Sequence, residues 1–544
     1  MPTAPTPGPP SRNVRGWREL LAIDVRALAA FRIGLGLCLL TDLWGRARTL
    51  REHYTGEGVF PRELALELRP DSPLVRLFLL SDRFEVQAGL FVVFALVALA
   101  LVLGWRTRLA SVLAFVLLAS LVRRNPYVCH TGDVLLKALC FWAMFLPLGA
   151  HLALDARAGR SRAPPGARVL SLATAGVLLQ VALFYVLAGI LKSRYAVWRE
   201  GEAVWIFTHV VEYTRPFGVW LGQFPLACRA FTYATLGLEG LAPFLLFSPC
   251  GTRWLRPLVV ATLALFHLTL QATIHIGIFQ VLCIVMLLLY LPTELWDGLA
   301  RRLPGRARAL LTPSAEPGAG PRPGRLARWG ARASQVLLVA ALAVILVSNV
   351  NSVVEDPYDP ADPGLVRLPK VVDDHGRMLS LVQSWNMFTD IEHFFFGWFL
   401  VLGQQEDGTF VDVLERRPYS GLRFPEHYAR TFPNHNARRY WRELTLKDGG
   451  QPRVWLQKPM CDYLAREWTR AGRPPLAHLA IFHVGRVPIQ RRGRDQVKPI
   501  ATEWEAPHEP LRSAAPEVQR HWGELRTRWQ QFLADLPRTA PARD

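Results

Sequence analysis

Nine apolar stretches constrain this chain more than anything else in it. They lie near residues 27–45, 85–105, 108–122, 134–154, 169–191, 228–247, 255–275, 276–292 and 335–351. A helix rises about 1.5 Å per residue, so roughly 20 apolar residues cross the ~30 Å hydrocarbon core of a bilayer. The stretch from Val169 to Leu191 holds 23 residues without a charge. The third stretch is short, and the seventh and eighth are nearly continuous. Hydrophobic residues make up 51% of the 544. The pattern predicts an all-α polytopic membrane bundle of about nine transmembrane helices, not a soluble multidomain protein.

Charge sets the expected orientation. Lys and Arg number 63 against 44 Asp and Glu, a net +19, which in a soluble chain would raise nucleic acid as a partner. Here the arginines cluster between apolar runs, where the positive-inside rule and lipid headgroups account for them without nucleic acid. Arg106 and Arg108, then Arg157, Arg160, Arg162 and Arg168, then Arg253 and Arg256 fall in alternate loops. The Arg/Pro/Gly-rich connection 293–334 adds eight more and reads as a flexible cytoplasmic linker. These loops predict a cytoplasmic tail over 1–25, a transmembrane domain over 26–351 and an extracytosolic region over 352–544. The chain is thus expected in the plasma (inner) membrane, passing through it many times. The Pro-rich N-terminus has no early apolar core, so no cleaved signal peptide is expected. Seven scattered cysteines without CxxC or ligand spacing suggest neither a disulfide framework nor a metal site.

The last 190 residues or so change character, becoming polar and aromatic. GWFLVLGQQEDGTFVDVLE predicts a hairpin around Asp407-Gly408, LAHLAIFHVGRVPIQ a further strand, and WRELTLKDGGQPRVWLQ a second hairpin. Segments 459–471 and 515–534 read as helical. A small C-terminal α+β domain follows, its aromatics packing on the membrane part.

Ionisable groups inside spans are costly and mark function by default. Lys192 closes the uncharged run at a membrane boundary, with Tyr185, Ala188 and Gly189 on its helical face. A snorkelling anchor is the plain reading. However, only six of the 63 basic residues are lysines, so a lysine here points to an amine whose proton affinity burial can tune, which arginine does not offer. His130, Asp133 and Lys137 share one face at the start of the fourth run, where Asp133 is expected to pair with Lys137 and leave His130 free at the mouth. His267, Gln271 and His275 are spaced by four in the seventh run, as a polar stripe lining a cavity. Arg32 and Asp42 in the first run suggest a structural salt bridge. Glu200, Glu202, His209 and Glu212 fall in the loop after Lys192. On the predicted topology these groups lie toward the side of the C-terminal region, around a polar cavity opening outward beneath it.

Several segments together resemble the HTTM-domain family, the family of the vitamin K-dependent gamma-glutamyl carboxylase, here in a bacterial-type form with a shortened tail. They are FRIGLGLCLLTDLWGRARTLREHYTGEGVFPR, RNPYVCHTGDVLLKALCFWAMFLPLG, FYVLAGILKSRYAVWREG, FHLTLQATIHIGIF and SWNMF with EDGTFVDV. The resemblance implies a lyase and quinol epoxidase that couples oxygenation of vitamin K hydroquinone, or a related quinol, to deprotonation and carboxylation of a glutamyl substrate. O2 and CO2 are then co-substrates, no metal is needed, and a glutamate-containing protein or peptide is the partner besides membrane lipids. Lys192 matches the base that deprotonates the quinol, and His130 a histidine near it. His267, Tyr185 and His275 are the cofactor-binding candidates, while Arg32, Asp42, Asp133, Lys137 and Trp385 are structural polar residues and Met387 accompanies Trp385. Leu191 and Cys129 stand where the family enzyme carries lysine and asparagine, and no cysteine in 46–84 could tie that loop to the tail. The alternatives are a non-catalytic protein of the same fold that handles lipid or docks a partner, and a transporter with His267 and His275 along a proton path.

Overall fold

The computed structural model describes residues 16–502, apart from 69–75, 162–166, 211, 314–324, 355–364, 367, 384, 390–395, 421–427, 449–450 and 492–493. Every apolar run carries a helix. Counting also α9, which lies in the connection after the eighth run, the helices in chain order are α1 (Val25–Ala47), α2 (Phe84–Leu103), α3 (Thr107–Arg124), α4 (Thr131–Ala143), α5 (Leu172–Ser193), α6 (Pro225–Leu246), α7 (Thr252–Thr273), α8 (Phe279–Leu287), α9 (Thr293–Arg302) and α10 (Arg325–Val354). Among the described residues five are long and apolar enough to cross a membrane alone: α1, α2, α5, α7 and the Arg332–Val354 part of α10. A sixth candidate is the pair Phe279–Tyr290 and Thr293–Arg302, bent by 94°.

Local chemistry explains where the helices begin and end. The Asp24 side chain caps α1 by accepting from Arg26 N at 2.8 Å, and Ser171 with Thr174 forms a capping box on α5. Gly104, at φ +69°, closes α2 in the left-handed conformation that ends many helices. The fourth run is shorter than expected, since α4 stops at Ala143 before a turn through Pro147. The connection 293–334 is not a featureless linker. Its described residues form α9, a second short helix, Gly305–Leu311, and the first turns of α10 from Arg325.

Two polar pairings predicted along the sequence are corrected. Arg32 does not pair with Asp42. Its guanidinium donates to three carbonyls, Leu101 and Val102 at the end of α2 at 2.7 Å and Leu152 beyond α4 at 2.6 Å. Asp42 accepts from Arg46 Nε at 2.7 Å, and the same guanidinium reaches Asp133 across the bundle and the Tyr54 hydroxyl at 2.8 Å. Asp133 is therefore held by Arg46 and not by Lys137, whose Nζ donates to the Arg377 carbonyl at 3.3 Å. A planar fork with five donors serves two carboxylates and a phenol at once, where a flexible ammonium would not.

Beyond residue 395 an antiparallel sheet forms from β1 (Phe396–Gln405), β2 (Phe410–Asp412), β3 (Arg417–Pro418), β4 (Leu476–Arg491) and β5 (Arg494–Thr502), in the order β3-β2-β1-β4-β5. The hairpin at Asp407-Gly408 is as expected, with Gly408 at φ +84° in its turn. The second predicted hairpin shrinks to two-residue strands, Lys447–Asp448 and Gln451–Pro452. Its flanks belong to α11 (His435–Thr445) and α12 (Val454–Arg470). The expected helix over 515–534 and the acidic stretch VEDPYDPADPG fall outside the described residues, apart from the first position of the latter, Val354.

This C-terminal region packs on one end of the helical bundle. From α11 and its cap, Asn434 Nδ2 donates to Gly45 O at 2.7 Å, Asn436 Nδ2 to Val128 O at 2.9 Å and the Tyr440 hydroxyl to Val59 O at 2.8 Å. Trp455 stacks edge-on against Tyr127. On the far side of the loop after α5, Gly397 N donates to the buried Glu212 carboxylate at 2.9 Å. Burial pushes that carboxyl up to about 7.

Candidate functional site

The strongest chemical feature is an ion pair inside the bundle. Lys192 Nζ donates to both carboxylate oxygens of Glu239, at 2.8 and 2.7 Å, and the two side chains are only 5% and 8% exposed. Lys192 sits in the last turn of α5 and Glu239 in the middle of α6. The helices lie close here: a Cβ on Gly189 would stand 3.4 Å from the Glu239 Cβ, in ordinary van der Waals contact. The Nζ also stands 5.4 Å from the centroid of the Trp198 ring.

The pair forms part of the wall of a cavity that encloses about 850 Å³ with its mouth. The rest of the lining is mostly apolar and aromatic, including Phe184, Phe207, Phe231, Phe266, Phe279 and Met387. This corrects the expected polar cavity. Besides the pair, His267 is the only ionisable lining residue among the described residues, and Thr235, Thr269 and Thr273 supply hydroxyls. The Tyr185 hydroxyl and His267 Nε2 share a hydrogen bond of 2.8 Å, while His267 Nδ1 has no partner among the described residues. Tyr185 thus acts behind His267 and does not line the cavity itself.

Trp385 and Met387 reach this place from the C-terminal side. The fully buried Trp385 ring meets Phe184 at a centroid distance of 4.8 Å, and the Phe388 carbonyl accepts from Trp198 Nε1 at 2.8 Å. Trp385 is thus buried behind Phe184, whereas Met387 lines the cavity.

His130 and His275 belong to a second place. His130 is the N-cap of α4: its Nδ1 accepts from Gly132 N at 3.0 Å, and Asp133 accepts from the His130 N–H at 2.8 Å. It is not free at a mouth but stacks edge-on against His435, the first residue of α11, with centroids 4.6 Å apart. His275 lies 6.2 Å from His435 on another side. The expected stripe from His267 to His275 is broken because α7 ends at Thr273 and Ile274 turns extended. His275 Nδ1 instead accepts from Arg215 Nη2 at 2.8 Å. Gly277, at φ +71°, passes between the rings so closely that a Cβ would stand 3.2 Å from His435 and 3.3 Å from His130. Burial, with His130, Arg438, His275 and Arg439 nearby, holds His435 neutral by depressing its proton affinity well below the ordinary histidine range.

His130 and Lys192 are thus not joined in one cavity. Phe279 stands between the two places: a Cβ on Gly132 would lie 3.6 Å from the Phe279 Cβ, while the Phe279 ring is 6.4 Å from His267. Sequence reading had missed Glu239, although a lone acid in LGLEGL within an apolar run carried the same signal as Lys192. His435, in a polar stretch of the tail, carried none. Among the described residues no three metal-ligating side chains converge.

Residues 21–296, just over half of the chain, match the HTTM domain as a family. No curated protein and no solved structure matches the chain.

Proposed function

The chain belongs to the HTTM-domain family, and on that premise we propose that it is a multi-pass membrane enzyme of the vitamin K-dependent gamma-carboxylase kind, acting on a lipid quinol through Lys192. In this reading nine spans place the N-terminus in the cytoplasm and the region after residue 351 outside it, in the plasma (inner) membrane. The single observation that carries the proposal is the Lys192–Glu239 pair at the wall of a largely apolar cavity.

The cavity fits such a substrate chemically. An isoprenoid quinol has an apolar tail and ring with hydroxyls at the ring edge, and the lining offers aromatic and aliphatic surface with one cluster of polar groups. Phe184, Phe279 and Met387 would hold the ring, with Thr269 and Thr273 placed to meet its polar edge. Bound there, the quinol would supply the oxygen chemistry that makes a base strong enough for a glutamyl carbon, with CO2 as the second co-substrate. The protein's part is to exclude water, orient the hydroxyl and receive its proton at the polar cluster. The His130, His275 and His435 cluster, beyond Phe279 and under the C-terminal region, is the place this reading gives to the glutamyl side. Its arginines, Arg215, Arg438 and Arg439, suit a carboxylate.

The test supplies the purified protein with vitamin K hydroquinone and oxygen and measures the epoxide. Wild type should form it, and Lys192→Met should lose at least about 100-fold in rate, the contribution of a positioned acid–base group. No epoxide from wild type would refute the quinol chemistry.

A further inference from the structure

We infer that a second, smaller cavity, at the seam between the helical bundle and the C-terminal region, binds a small oxyanion that carries its own hydroxyl, of the bicarbonate kind. It uses none of the residues that line the Lys192 cavity, and it does not depend on the quinol chemistry.

The cavity encloses about 270 Å³ with its mouth. Arg438, Arg442 and Thr445 line it from one face of α11, at i, i+4 and i+7. Phe399 of β1 and His483 of β4 line it from the sheet. These two are register partners, so they share a face, with ring centroids 4.9 Å apart. Glu212 closes the cavity from the bundle side, in the loop after α5. A water takes about 30 Å³ of liquid, so the space suits an ion of a few atoms and is too small for a peptide.

The walls are not balanced in charge. They hold two guanidinium groups and, among the described residues, one carboxylate. Burial, with Arg442 nearby, holds His483 down at about 4, so its ring adds no charge. One positive charge is left over in a largely buried place, where an unpaired charge is costly, and a monovalent anion cancels it. Polar atoms to meet that anion are present. Arg438 and His483 are only 6% and 3% exposed, yet Arg438 Nε and His483 Nδ1 have no hydrogen-bond partner among the described residues.

Glu212 decides which anion fits. Its carboxylate accepts from Gly397 N at 2.9 Å and is buried beside both arginines. A halide or nitrate would bring it only a second negative charge. Bicarbonate brings a planar pair of acceptor oxygens, which a guanidinium fork meets, and one O–H, which a carboxylate accepts. No covalent bond changes. The bound ion would tie α11 and the sheet to the loop after α5, so occupancy should hold the C-terminal region on the bundle.

The test uses the full chain in detergent at about pH 8, above the value of about 7 to which burial raises Glu212. Broadening of the carbon-13 bicarbonate signal in NMR reads binding, and the unfolding midpoint reads the stabilisation that binding brings. Chloride and nitrate at matched ionic strength are titrated beside it. Wild type should bind bicarbonate saturably, at least about threefold tighter than either comparison anion, the worth of one hydrogen bond. Arg442→Gln should weaken bicarbonate at least about tenfold, the loss of a charge-assisted contact. Glu212→Gln removes the need for a hydroxyl and should take nitrate as tightly as bicarbonate. The wild-type series and Glu212→Gln decide the matter even if Arg442→Gln does not fold. No saturable response to bicarbonate, an equal response to all three anions in wild type, or a Glu212→Gln variant that still prefers bicarbonate overturns the inference.

Discussion

Replacing Arg46 should cost more stability than almost any other single change in the bundle. Its guanidinium is fully buried and is shared by Asp42, Asp133 and the Tyr54 hydroxyl, so it ties α1 to the loop after it and to the start of α4. Arg46→Met preserves much of the volume and leaves two carboxylates without their cation. Breaking one buried pair by removing one partner costs about 3–5 kcal/mol, because the remaining charge is stranded. Asp133 retains the His130 backbone N–H at 2.8 Å and a 3.6 Å approach of the His130 ring, and Asp42 loses its partner at 2.7 Å, so the loss should reach at least the upper part of that range. Against a typical total of 5–15 kcal/mol this is severe. Reversible unfolding of the purified protein in mixed detergent micelles, titrated with a denaturing detergent, measures it directly. The triple variant Arg46→Met, Asp42→Asn, Asp133→Asn removes the stranded charges and should recover at least about 2 kcal/mol, since neutralising the partners removes most of the desolvation cost. A single variant that loses less than about 1 kcal/mol, or a triple variant no more stable than the single one, would refute the reasoning.

Three further outcomes are expected. With its carboxyl pushed up to about 7 by burial, Glu212 binds its proton more tightly folded than unfolded, so its ionisation opposes folding as pH rises from about 4.5 to 7. Glu212→Gln should therefore gain on wild type across that window by about 3 kcal/mol, from 1.36 kcal/mol per pKa unit, and hold level above it; a difference independent of pH in paired melts would exclude this account. Gly277→Ala places a side chain at φ +71° and within 3.3 Å of two imidazoles, which should cost about 1–2 kcal/mol for the backbone alone and shift the His130 and His435 ring signals in NMR; unchanged signals would show that the rings do not depend on that gap. Tyr185→Phe removes the only hydrogen bond at His267 Nε2 among the described residues, so quinol turnover should fall by several-fold to tenfold, the loss of about 1–1.5 kcal/mol, with folding retained; full turnover would show that His267 needs no such support.

How much of this was readable from residues alone depends on which interactions stay within one helix. The apolar runs are a property of consecutive residues, and each one carries a helix. The hairpin at Asp407-Gly408 is equally local, because the turn chemistry and alternating strands lie side by side in sequence. The buried polar pairings are not local. Asp133 has a lysine one turn away, at Lys137, and i to i+4 logic pairs them. The structure gives Asp133 to Arg46, which lies 87 positions earlier, because only a fork from a neighbouring helix satisfies both it and Asp42. The same physics hid half of the candidate site. Lys192 was conspicuous as a charge at the end of an apolar run, yet a charge that deep needs a counter-charge, and it had to come from another span. Scanning the other runs for a lone acid finds Glu239 in LGLEGL at once. That rule identifies the partner without any geometry: an unexplained cation in one span is a reason to search every other span for its anion. The His435 side of the second cluster had no such signal. A histidine in a polar tail is unremarkable until α11 places it against His130, so its role depends on tertiary packing alone.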